Sequence, residues 1–154
     1  MDTMFEKGFI FGGIFVLANR LQLVGDKFDE HITVKQWLLL ACISKYKDIK
    51  PTLSDVAKQI GNSRQNVKKM ALILEREGFL TISKDHNDAR ILRISLTEKC
   101  DNYFKEREEK ELQFINEFFY SMDDEMIKNL YQGITKLSEN ISRMELNYVK
   151  DEKE

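Results

Sequence analysis

The sequence predicts a mainly α-helical fold with one small β-hairpin, and three observations predict it. Among 154 residues there are one proline and seven glycines, which leaves little room for long loops or linkers. Apolar residues recur at helical spacing in several separate stretches, the last running from Ile127 to Tyr148. Between Leu80 and Leu96 the period drops to two, on either side of the turn-forming run Asp85-His86-Asn87-Asp88-Ala89-Arg90. The length, 1–154, is that of a single domain able to bury a core.

Taken from the N-terminus, Gly8 to Ala18 is almost wholly apolar. At that length it is too short for a membrane span, which needs about 20 residues. It also lacks the basic start and the small-residue cleavage site of a signal peptide. A helix apolar on all sides is expected to be buried on all sides, and Gly8, Gly12 and Gly13 would let another helix come close. Next, Thr33 and Gln36 form a capping box that opens a helix whose apolar side is supplied by Val34, Trp37, Leu38, Leu40 and Ala41. On it Trp37 reads as core and Cys42 as a buried, inert thiol, while His31 is an exposed residue ahead of the helix.

Thr52 is an N-cap with Asp55 three residues on, facing the positive end of a short helix. Leu53, Val56, Ala57 and Ile60 make one apolar stripe, and Gly61 can take the left-handed turn that ends it. Asn62 or Ser63 then caps a second helix, with Val67, Met70, Ala71 and Leu74 on its inner face. At about 100° per residue, Gln65, Lys68, Lys69 and Arg76 project from the other side, flanked by Arg64 and Asn66. Two helices joined by a tight turn, the second basic and amide-rich outside, read as a helix-turn-helix. After Gly78, strands around Leu80-Ile82 and Leu92-Ile94-Leu96 form a hairpin, or wing.

Thr97 caps a long helix to about Tyr120, whose middle, Lys105 to Glu111, is read as a solvated charged run. Ser121 with Asp124 is expected to start the last helix. In it Ile127, Leu130, Ile134, Leu137, Ile141, Met144 and Tyr148 step by three and four, a heptad seam that calls for a partner helix. The tail Lys150 to Glu154 is expected to fray.

The order of these elements resembles the multiple-antibiotic-resistance regulator (MarR) family of winged-helix repressors. The resemblance is carried by LSDVAKQIGNSRQNVKKMALILEREGFL, by DHNDARILRISLTEK with its Asp88-x-Arg90 pair, and by the helices on either side. Cys100 departs from it, standing where the family usually has glycine after LTEK. The resemblance implies a winged helix-turn-helix domain over 30–99, flanked by N- and C-terminal dimerisation helices at 1–27 and 100–149. It implies a cytoplasmic homodimer that binds an inverted-repeat operator in double-stranded DNA. It also implies a small-molecule effector site between the dimerisation helices and the DNA head. The candidate DNA contacts are Ser63, Arg64, Gln65, Asn66, Lys68 and Lys69 on the recognition helix, with Arg90 oriented by Asp88 at the wing.

Charge agrees once it is mapped. Residues 58–99 carry nine Lys/Arg and five Asp/Glu, a net of +4, while the remainder carries fifteen against twenty-one, a net of −6. Positive charge thus gathers where phosphates would be neutralised. Two cysteines, Cys42 and Cys100, make no disulfide framework and fit a reducing compartment. No His/Cys cluster, phosphate loop or nucleophile motif is present, so neither a metal, a cofactor nor an enzyme activity is expected. The competing reading is a winged helix used only for protein contacts, against which the retained Arg64, Lys68, Lys69 and Arg90 argue.

Overall fold

Helix starts in the middle of this chain are set by side-chain caps, and the computed structural model, which describes residues 3–151, shows each one closed. Thr33 Oγ1 accepts from Gln36 N at 3.2 Å and Gln36 Oε1 accepts from Thr33 N at 2.9 Å, opening α2 (Val34–Ser44). Thr52 and Asp55 exchange the equivalent bonds, both at 3.0 Å, at the start of α3 (Leu53–Ile60). Of the two candidates for the next cap it is Ser63, whose Oγ accepts from Asn66 N at 3.2 Å, that opens α4 (Arg64–Arg76). Gly61, at φ 66°, takes the left-handed conformation that ends α3.

Strands β1 (Leu80–Lys84) and β2 (Leu92–Leu96) pair antiparallel, with Leu80 opposite Leu96 and Lys84 opposite Leu92. Between α1 (Thr3–Phe28) and this hairpin, α2, α3 and α4 pack around one core with the strands. At its centre Leu39, Leu40, Val56, Val67, Ala71, Leu74 and Ile94 are fully buried. Two long helices follow, α5 (Glu98–Phe118) and α6 (Asp124–Asp151). The chain divides into two compact units, 1–106 and 107–154.

Several expectations are corrected. On α2 it is Leu39, not Leu38, that enters the core, while Leu38 is exposed. The run Trp37 to Ile43 is apolar throughout, so its spacing alone could not say which side faces in. Ser121 does not start α6. It sits at φ 63°, and Asp123 caps instead, accepting from Met126 N at 2.8 Å. Within the supposed solvated run, Arg107 is buried and its Nε lies 3.1 Å from Glu111 Oε1, an i,i+4 ion pair. Residues 152–154 of the expected frayed tail lie outside the described residues, and α6 runs to Asp151.

The largest correction concerns α1. It extends over 26 residues, so by length and composition it is apolar enough to cross a membrane, and the argument from shortness does not hold. Nor is it buried on all sides. Phe9, Phe11, Phe15 and Leu17 are exposed, and only Gly25 along its length is buried. At Gly25 the reason for glycine is space, because a Cβ there would lie 2.0 Å from Val34 Cγ2. Asp26 next to it accepts from Val34 N at 2.8 Å, which pins the end of α1 to the start of α2.

Candidate nucleic-acid interface

The inner and outer faces of α4 separate cleanly. Val67, Ala71 and Leu74 are buried against α2 and α3, and Arg64, Gln65, Lys68, Lys69 and Arg76 are exposed on the other side. Periodicity alone produces this split, since the buried positions step by four and three. Ser63 closes the helix start as its cap and is thereby committed to structure. Asn66 is exposed, and its side-chain amide donates to Asn62 Oδ1 at 3.2 Å. One donor of that candidate base reader is therefore engaged locally.

At the wing, Arg90 is held by Asp88 in a two-point pair. Arg90 Nε lies 3.0 Å from Asp88 Oδ1, and Nη2 lies 2.9 Å from Oδ2. The arginine side chain is 89% exposed, so the pair fixes a cation that still stands in solvent. Arg90 holds the Asp88 carboxyl below the usual carboxylate range, and the Arg90 backbone N–H at 3.0 Å adds to this. The exposed pair itself adds little stability, and its effect is to aim the guanidinium.

Two further wing residues escaped the sequence reading. Asp85 Oδ1 accepts from Asn87 N at 2.8 Å and Asp88 N at 3.1 Å, closing the tip, while its Oδ2 takes the Nε of Arg93. Arg93 Nη1 also donates to the Lys50 carbonyl at 2.6 Å, next to the start of α3. The Asp85 carboxyl is held down to about 2, chiefly by Arg93 and then by the two tip amides. A depressed folded value means the anchor is fully ionised above about 4 and released only as pH falls through its own range. Nothing in the alternation of a strand marks a partner 43 residues away, and Asp85 itself lies eight positions from Arg93.

The root of the wing is tied on both sides. Ile94 N donates to Pro51 O at 3.0 Å, and Ile82 N donates to Glu75 Oε2 at 2.6 Å, linking β2 to the approach to α3 and β1 to α4. Lys99, basic and nearby, is occupied differently. Its Nζ donates to the Glu77 carbonyl at 2.6 Å and lies 5.0 Å from the Phe79 ring centroid. Thr97 donates to Gly78 O at 2.6 Å and accepts from Cys100 N at 3.3 Å, so the wing closes where α5 begins.

An amphipathic helix-turn-helix, its outer face basic, followed by a hairpin with a presented arginine, defines a winged helix-turn-helix protein. Residues 32–92 match the model of the MarR family. No curated protein matches the chain in sequence. Solved structures match over nearly its whole length. A MarR/EmrR family transcriptional regulator from Acinetobacter sp. ADP1 superposes with TM-score 0.76 at 16% identity, covering 89% of this chain and 97% of that one. MepR of S. aureus, crystallised with DNA, gives TM-score 0.72 at 18% identity, covering 82% of this chain and 94% of its own. Bordetella bronchiseptica BpsR, whose DNA binding is regulated by 6-hydroxynicotinic acid, gives TM-score 0.72 at 18% identity, covering 84% and 92%. The flanking helices thus belong to the same fold as these solved structures.

Proposed function

We propose that this protein is a sequence-specific DNA-binding transcriptional repressor that acts as a cytoplasmic homodimer and is released by a small-molecule effector. The observation that carries the DNA reading is Arg90, 89% exposed yet held at two points by Asp88, on a wing rooted to the recognition helix. Each α4 would enter a major groove with Gln65 and Asn66 at base edges and Arg64 at guanine or phosphate, while Arg90 enters the adjoining minor groove. Lys68 and Lys69 would meet phosphates. Two-fold symmetry implies an inverted-repeat operator with half-site centres about 10 bp apart or a multiple of that. MepR with DNA and BpsR with its ligand support the partner classes.

The dimerisation helices proposed are those of 1–27 and 100–149. Exposure of the α6 seam, from Ile127 through Leu130, Ile134, Leu137, Ile141 and Met144 to Tyr148, supports that reading, as does the exposed apolar surface of α1. A helix surface of this kind is stable in water only when something covers it.

The test is a salt-dependent mobility shift on duplexes selected from random-sequence DNA. Arg90→Ala is expected to weaken binding by about 1–3 kcal/mol while leaving dimerisation and folding unchanged. Lys68→Ala and Lys69→Ala are expected to weaken all sequences alike and to lower the salt slope by about one each. Unchanged DNA affinity with a lowered melting temperature for Arg90→Ala would reduce the Asp88–Arg90 pair to a staple of the hairpin.

A further inference from the structure

Hydrogen bonds run without a gap from the segment leading into α3 to the wing tip. The Lys50 carbonyl, one residue before Pro51, accepts from Arg93 Nη1 at 2.6 Å. The same guanidinium binds Asp85 Oδ2 through Nε. The other oxygen of Asp85 takes the tip amides of Asn87 and Asp88, at 2.8 and 3.1 Å. Asp88 in turn grips Arg90. The middle of this chain is sheltered, with the Asp85 side chain 11% and the Arg93 side chain 30% exposed, while Lys50 and Arg90 at its two ends are exposed.

A two-stranded hairpin alone is marginally stable and twists easily, so its tip is not fixed by strand pairing. A groove contact, in contrast, needs the inserted cation at a set distance from the recognition helix. We propose that Arg93 and Asp85 are positioning residues that transmit the placement of the helix-turn-helix to Arg90, fixing the spacing between the major-groove and minor-groove contacts. The proposal rests on the DNA-binding reading of the wing. It goes further by assigning a role to two residues that touch no DNA in that reading. A guanidinium suits it because one planar group reaches a carbonyl and a carboxylate together, which a lysine ammonium on the same strand position cannot match in geometry.

The mechanism makes Arg90 dependent on Arg93 and Asp85, and a double-mutant cycle reads that dependence. The full-length protein is titrated with one fluorescent duplex, recovered with the unaltered protein by selection from random-sequence DNA. Arg90→Ala is measured in three backgrounds: unaltered, Arg93→Met and Asp85→Asn. Asparagine at position 85 keeps an oxygen for the tip amides but turns an amide donor toward Arg93, so it cuts the relay while leaving the turn closed. In the unaltered background Arg90→Ala is expected to weaken binding about 5- to 150-fold. In either altered background it is expected to weaken binding less than about twofold, because the guanidinium is no longer aimed. Should Arg93→Met fail to fold, the Asp85→Asn cycle decides.

A role in hairpin stability alone would lower the melting temperature and leave the two losses additive. Equal factors for Arg90→Ala in all backgrounds would therefore overturn the relay while the groove contact stands. No loss from Arg90→Ala in the unaltered protein would overturn the groove contact, and the relay with it.

Discussion

Val56 in α3 and Leu17 in α1 are both aliphatic residues on helices, yet the first is fully buried and the second is 62% exposed. The same contrast holds between the regions around them. In the winged head, from Ile32 to Cys100, buried apolar side chains make one connected core. In α1 and α6 the apolar side chains face outward, from Phe5 to Val24 in the one and from Ile127 to Tyr148 in the other. The head accounts for its own hydrophobic residues within one chain. The terminal helices do not, and the proposed function takes their cover to be a second copy of the chain.

The hardest blow to that comparison would come from charge on the α6 seam. Ile134→Asp with Leu137→Asp is expected to leave monomers with an intact head and to weaken DNA binding more than about 100-fold, since carboxylates taken into an apolar interface cost several kcal/mol. Sedimentation and circular dichroism check both halves. An unaltered protein that sediments as a monomer at micromolar concentration would remove the reading altogether.

Next in size is the head itself. Leu39→Ala, at a fully buried site, is expected to lose about 2–5 kcal/mol of unfolding free energy. Leu17→Ala in the monomeric seam variant should change stability by under about 0.5 kcal/mol, because nothing is uncovered there. Denaturant titration of both in that background measures the contrast. A smaller effect is expected where the two regions meet, at Gly25. Gly25→Ala places a methyl against Val34, costing about 1–3 kcal/mol of overpacking against about 1 kcal/mol gained in helix propensity, and a rise in melting temperature would contradict the close approach.

The smallest effect concerns the thiols. Burial raises both cysteines, Cys100 to about 11, so thiolate is scarce at neutral pH in the folded head. Neither is expected to react with a disulfide reagent on the minute scale until denaturant is added. Rapid labelling of native protein would show the head to be looser than its core implies.

The winged head was legible because its signals are local. Thr33 with Gln36, Thr52 with Asp55, Ser63 and Gly61 each act within four residues, and the strand alternation needs only its own neighbours. Asp88 and Arg90 were readable for the same reason. What sequence could not supply depends on distant partners or on competing periods. Arg93 finds its carbonyl across 43 positions, and Gly25 is needed only because Val34 packs there. Leu39 displaced Leu38 in a run with no polar position to mark the outside. Asp123 took the cap from Ser121 because a serine in the left-handed conformation cannot also open a helix.

The closed caps on α2, α3 and α4 have a consequence in time. Each helix start is complete within four consecutive residues, and only seven residues, 85–91, separate the strand ends Lys84 and Leu92. Such short-range closure belongs to chains that fold within milliseconds, before slower second-order encounters at cellular dilution. On the proposed dimer reading, freshly made chains would then pass through a form whose head is folded while its terminal helices are uncovered, and the pace at which dimer accumulates would follow collision between copies, squared in their number, in place of first-order folding.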